Sequence, residues 1–164
     1  MPTPRFILAS CMIPLTLLAG CGKGAAAKKA EVAPAEYGVF ISTADCADSG
    51  KLSEDVCSKI INTAVTSHQK DTPVYKFLQK CEAAEGGPDR CDKTGEDEYR
   101  ARLQAFYVTF SSPPTAVPLY PPKNAGASFR TAAKQTIDAR DESLRISNEA
   151  KSVAHENTKL AKAK

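Results

Sequence analysis

Four cysteines, Cys46, Cys57, Cys81 and Cys91, lie in the middle of the chain, and what becomes of them decides how small a core the fold can live with. Their order repeats. Asp45-Cys46 reaches Gly50 and then Cys57, while Lys80-Cys81 reaches Gly86 and then Cys91, so each half holds a cysteine, a turn glycine and a second cysteine. Four cysteines allow three connectivities. The repeat favours Cys46 with Cys57 and Cys81 with Cys91; the rival joins Cys57 to Cys81 and Cys46 to Cys91. A disulfide closing a loop this short contributes roughly 3 kcal/mol in the chain-entropy description. Neither pair has the Cys-x-x-Cys spacing of zinc sites or redox-active pairs, and the two histidines, His68 and His155, are distant in sequence. No metal and no cofactor is expected.

Structural disulfides need an oxidising compartment, and the first twenty residues supply a route to one. Arg5 precedes an apolar run from Phe6 to Leu18 without an acidic residue, which is the layout of a secretory signal. At about thirteen residues, interrupted by Pro14, the run falls short of the roughly 20 that span a hydrocarbon core. Its ending, Leu18-Ala19-Gly20-Cys21, resembles the lipobox of bacterial lipoproteins. The resemblance implies cleavage before Cys21, a diacylglycerol on the Cys21 thiol and a further acyl chain on the new amino terminus. Two or more acyl chains hold stably, at roughly 0.8 kcal/mol for each buried methylene. Cys11 leaves with the signal. Gly22 stands where an inner-membrane retention signal often shows Asp, so the expected location is the periplasmic face of a bacterial membrane, the outer rather than the inner.

Beyond Cys21 the chain divides by composition. Residues 21–36 are Ala, Lys, Gly and Pro with almost nothing to bury, which predicts a flexible tether. Residues 37–110 carry the cysteines and are expected to form a disulfide-stapled, mainly α domain, with one edge strand at Tyr37 to Ser42. Ser53, followed by Glu54 and Asp55, opens a helix over about 53–69, with Val56, Ile60, Ile61, Ala64 and Val65 on one face. Thr72-Pro73 is expected to cap and open a second helix with Val74, Phe77, Leu78 and Cys81 on a face, ending near Gly86-Gly87-Pro88. Tyr99, Leu103, Phe106 and Tyr107 predict a third helix from Glu96 to about Tyr107, with its end left open because Phe106 to Phe110 is also β-like. Residues 111–130 begin with five prolines by Pro122 and read as an extended connection. Residues 131–164 lack proline and glycine, and their Ala, Lys, Glu and Arg predict a long charged helix.

Basic and acidic side chains number 22 and 19, with no basic cluster, so nothing points to nucleic acid. There is no tryptophan, and much of the apolar fraction is alanine, which limits the core to one small domain. His68 falls in the last turn of the first helix, where a cation suits the carbonyl end, and reads as a solvated or capping side chain. His155, in the charged tail, reads the same way. Glu96-Asp97-Glu98 lacks the alternating oxygen ligands of a calcium loop. Tyr75, Tyr99 and Tyr107 read as partial core. No phosphate loop, paired catalytic carboxylates or nucleophile pattern is present, so no catalytic residue is assigned.

Several short segments resemble the YgiB-type bacterial lipoproteins of unknown function. They are Ser42-x-x-Asp45-Cys46, Cys57, Thr72-Pro73-x-Tyr75, Cys81, Gly86 and Cys91, with Pro118-Leu119-Tyr120 and Ser128-Phe129-Arg130-Thr131-Ala132 as a weaker second piece. Relatives in that group carry a Gly, Met, Gln and Ser-rich tail where this chain has a charged one. The expected role is a non-catalytic module that docks on an envelope protein or on peptidoglycan. The alternative is a small lipoprotein of the kind that blocks plasmid uptake in conjugation systems, against which the four-cysteine pattern argues.

Overall fold

The computed structural model describes residues 36–160. The expected signal, the expected lipidation site Cys21, the expected tether up to residue 35 and the last four residues of the chain lie outside them. In chain order the elements are β1 (Tyr37–Phe40), α1 (Thr43–Asp48), α2 (Glu54–Asp71), α3 (Leu78–Glu85), β2 (Cys91–Gly95), β3 (Glu98–Ala101), β4 (Ala105–Thr109), β5 (Thr115–Tyr120), β6 (Ser128–Thr131), β7 (Thr136–Asp138), β8 (Arg145–Ile146) and α4 (Asn148–Glu156), followed by a 3₁₀ turn. Six strands make one sheet in the order β7-β6-β5-β4-β1-β8, and β2 and β3 form a separate hairpin. Only β8 runs parallel to its neighbour. The mainly α expectation is therefore wrong: the fold is α+β, organised on the sheet.

The sheet is buried on both faces, which is why the sequence of β4 also satisfies helical spacing. In β4, Ala105 and Tyr107 pack toward α4, while Phe106 and Val108 pack toward α1 and α2. A strand covered on both sides shows a continuous apolar run instead of alternation, and over a few residues that run also satisfies helical spacing. The segment expected as a helix from Glu96 to Tyr107 is thus the end of the β2–β3 hairpin followed by β4.

The first predicted helix is present as α2. Ser53 caps it by accepting from the Val56 amide, Glu54 and Asp55 occupy its first turn, and Cys57, Ile60, Ile61 and Ala64 are buried against Phe40, Phe106 and Val108. Each large apolar side chain fully buried in this way contributes roughly 1.5–3 kcal/mol. The second helix starts later than expected. Thr72 ends α2 rather than opening α3, whose N-terminal position is Phe77, and α3 stops at Gly86 with φ 100°. Glycine is required there on two counts, because a Cβ would sit 2.8 Å from the Lys123 carbonyl oxygen and in the left-handed region.

Residues 111–130 are not a connection: they hold all of β5 and most of β6. Proline survives in β5 through its position. The Leu119 carbonyl accepts from the Gln104 amide on the β4 side, so Pro118 presents its backbone to the opposite side, where β6 has already ended at its pairing with Leu119 and Tyr120. The long C-terminal helix is also absent. Ile137 and Ile146 enter the sheet on β7 and β8, and only Asn148–Glu156 is helical, with Ala150 and Ala154 buried on its inner face. Helix propensity is a weak prior that packing of two isoleucines overrides.

The cysteines pair as Cys46–Cys57 and Cys81–Cys91, the pairing that the local repeat favours. The first staples α1 to α2 and the second staples α3 to β2. Asp45 ties the two covers of the sheet together: its carboxylate accepts from the Ile41 amide at 2.8 Å and from the Ser147 hydroxyl at 2.7 Å, and that same Ser147 caps α4.

Candidate functional site

A cleft of about 700 Å³ opens between the last turn of α2, the end of α3, the outer reach of β5 and β6, and the loop from β6 to β7. Its rim carries Asp71, Pro73, Val117, Lys123, Ala132, Ala133 and Lys134, a mixture of small apolar side chains with both signs of charge. Its floor is polar and closed to solvent. Tyr120, Arg130, Glu85 and the neighbouring His68 are all buried.

The strand register builds this floor. Tyr120 and Arg130 are direct partners across β5 and β6, so they point to the same face. The Arg130 guanidinium lies 5.3 Å from the centroid of the Tyr120 ring, its Nε donates to the Pro121 carbonyl at 2.9 Å, and its Nη2 pairs with the Glu85 carboxylate from α3. Burial pushes the Arg130 pKa down, as desolvation disfavours its charge, and the Glu85 carboxylate is the compensating partner.

On the other side of the Tyr120 ring, its hydroxyl completes a triangle with α2. His68 Nδ1 lies 3.2 Å from the Tyr120 hydroxyl and 3.1 Å from Thr72 Oγ1, and the two hydroxyls are 3.2 Å apart. Burial and then the nearby Arg100 charge hold His68 below its ordinary pKa, while burial pushes the Tyr120 hydroxyl up. Both groups therefore stay neutral near pH 7, each occupied by the other. Arg100 donates to the Thr72 carbonyl at 2.7 Å and so also closes the end of α2. The fully buried Arg90 donates to the carbonyls of Pro88, Pro122 and Lys123, fixing the backbone that carries Lys123 into the cleft wall. Every buried side-chain polar atom among the described residues has a partner.

The residues singled out in the sequence are distributed unevenly over this site. Thr72, Pro73, Pro118, Tyr120, Arg130, Thr131 and Ala132, from three separated segments, converge on the one cleft. Cys21 lies outside the described residues, and Cys46, Cys57, Cys81 and Cys91 are buried in their disulfides. His155 is exposed on α4, Tyr75 forms an isolated bridge with Tyr99, and Tyr107 stacks on Tyr37 at 5.4 Å. Glu96 and Asp97 form the exposed turn of the β2–β3 hairpin, not the start of a helix.

His68 is corrected from a solvated side chain to a buried one. The signal was its place four residues after Ala64 and seven after Ile61, on the apolar stripe of α2. Sequence reasoning missed Glu85 and Arg90 altogether and gave Arg130 no partner, because Glu85 pairs with Arg130 and Arg90 donates to Pro122 and Lys123, all remote in the chain. Among the described residues no group of three or more His, Cys, Asp or Glu side chains could hold a metal ion.

The sequence model of a protein family described as "Protein of unknown function (DUF1190)" matches residues 34–164. No curated protein and no solved structure matches the chain.

Proposed function

The chain belongs to the DUF1190 family of proteins of unknown function, and from that premise we propose that it is a lipid-anchored envelope protein whose folded domain is a non-catalytic docking module. The observation that carries this reading is the convergence on one cleft of Thr72-Pro73, Pro118 with Tyr120, and Arg130 to Ala132, from the same segments that resemble the YgiB-type lipoproteins. A concave site with a fixed polar floor and small apolar walls suits recognition of an extended ligand. The floor donors are committed to the protein itself, so they set the shape of the cleft rather than act on a substrate.

The lipobox-like Leu18-Ala19-Gly20-Cys21 supplies the anchor in this reading, with acyl chains on Cys21 and the domain on the periplasmic side, and the outer membrane as its destination. The ligand is a segment of an envelope protein, with the peptide part of peptidoglycan as the other candidate of similar chemistry. A photo-crosslinking residue in place of Ala133, in the membrane-bound chain, tests this. The expected result is an adduct with an envelope component that disappears when Val117→Glu fills the cleft wall with charge. No adduct from Ala133, together with abundant adducts from the remote exposed position His155, contradicts the docking cleft.

A further inference from the structure

Val74, Phe77 and Leu78 stay exposed within one short stretch, with Phe77 at 65 %. Contiguous apolar exposure of this kind marks an interaction surface. The stretch is held in place: the Tyr75 amide and carbonyl each make a 2.9 Å hydrogen bond with Tyr99 of β3, so Phe77 is presented from a fixed frame. A shallow depression of about 450 Å³ lies beside it, with Lys76, Phe77, Leu78 and Gln79 on one wall and Asp97 and Tyr99 of the β2–β3 hairpin on the other. It is separate from the cleft described above, sharing none of that cleft's lining residues.

We propose that this surface pairs two copies of the chain through a two-fold contact centred on Phe77, with Lys76 of each copy set against Asp97 of the other. The charge pattern selects this occupant. Lys76 and Asp97 face the same depression, yet neither takes part in the ion pairs formed among the described residues, which join Arg102 to Asp92, Arg130 to Glu85, Arg140 to Asp138 and Lys159 to Glu156. A patch with one basic wall and one acidic wall around an apolar centre is complementary to itself under a two-fold rotation, because each wall then meets its opposite twice. An anionic bilayer fits worse, since Glu96 and Asp97 at the hairpin turn would face its headgroups. The exposed apolar stretch spans only Val74 to Leu78, so the contact is small and the pair a transient one.

The test is in-cell photo-crosslinking of the full chain carrying p-benzoylphenylalanine in place of Gln79, with the adduct sized and mapped by mass spectrometry. The expected result is an adduct of twice the chain mass whose linked residues fall at 76–79 and 96–99 of the second copy. Phe77→Asp should lower its yield at least about fivefold, as loss of a central apolar anchor does at small interfaces. Lys76→Glu alone and Asp97→Lys alone should each lower it roughly threefold or more by setting like charges together, and the two combined should restore it. Intact non-reduced mass, showing both disulfides, confirms that each variant is folded. An adduct with a different protein or with lipid, no adduct at all, or a double variant no better than either single one overturns the proposal.

Discussion

Replacing Glu85 by alanine removes the carboxylate that compensates Arg130 and leaves a guanidinium in the floor of the cleft. The two side chains keep only 10 % and 11 % of their exposure, so solvent screens the pair little. Breaking a buried pair from one side costs about 3–5 kcal/mol. Arg130 retains its hydrogen bond to the Pro121 carbonyl and its place against the Tyr120 ring, which puts the expected loss at the low end, about 3 kcal/mol. With a urea slope of about 1.5 kcal/mol/M, that lowers the unfolding midpoint by about 2 M. The assay is urea unfolding followed by far-UV circular dichroism on the Cys21→Ser chain with both disulfides intact. Glu85→Leu combined with Arg130→Met removes both charges and should come within about 1 kcal/mol of the parent, because an apolar pair of similar volume avoids the desolvation cost. A Glu85→Ala variant within about 0.5 kcal/mol of the parent at unchanged slope would refute the reasoning.

Opening one staple by Cys46→Ala with Cys57→Ala should lower stability by about 2–4 kcal/mol, read in the same unfolding assay, with the reduced parent losing at least as much. Gly86→Ala, forced to φ 100° and against the Lys123 backbone, should cost about 2 kcal/mol, whereas alanine at the open Gly126 should cost under about 1 kcal/mol. His68 binds a proton less readily in the folded chain than in the unfolded one. Its contribution to stability is therefore full above the ordinary histidine value and is lost as pH falls from about 6.5 toward the lowered folded value. Unfolding free energies at pH 7.5, 6.5 and 5.5 should show a steeper loss in the parent than in His68→Asn, and parallel slopes would contradict the buried triangle.

What the sequence made legible was local. Ser53, Glu54 and the apolar spacing of Ile60, Ile61 and Ala64 place α2 because capping and helical periodicity act within a few residues. The cysteine repeat points to the observed pairing for the same reason, since each disulfide closes a short local loop. The strand expected at Tyr37 to Ser42 is β1, but β4 stays ambiguous in sequence because it is apolar toward both helical covers: Phe106 and Val108 meet α2 while Ala105 and Tyr107 meet the α4 side. Pro118 hid β5, since the strand's missing partner at that position cannot be seen until β6 is placed. The alanines and lysines after Thr131 advertised a helix, but Ile137 and Ile146 gain more from burial in the sheet than their neighbours gain from helix propensity. The cleft followed the same division. Its residues were quoted for their resemblance, yet nothing in one dimension says that Glu85 meets Arg130 or that His68 meets Tyr120, pairs separated by 45 and 52 residues.

The proposed anchoring at Cys21 is tested most directly by mass spectrometry of the native, membrane-extracted protein. The expected chain begins at an acylated Cys21 and carries the Cys46–Cys57 and Cys81–Cys91 disulfides. A chain that keeps residues 1–20, or one with an unmodified Cys21 recovered free of the membrane, would contradict it.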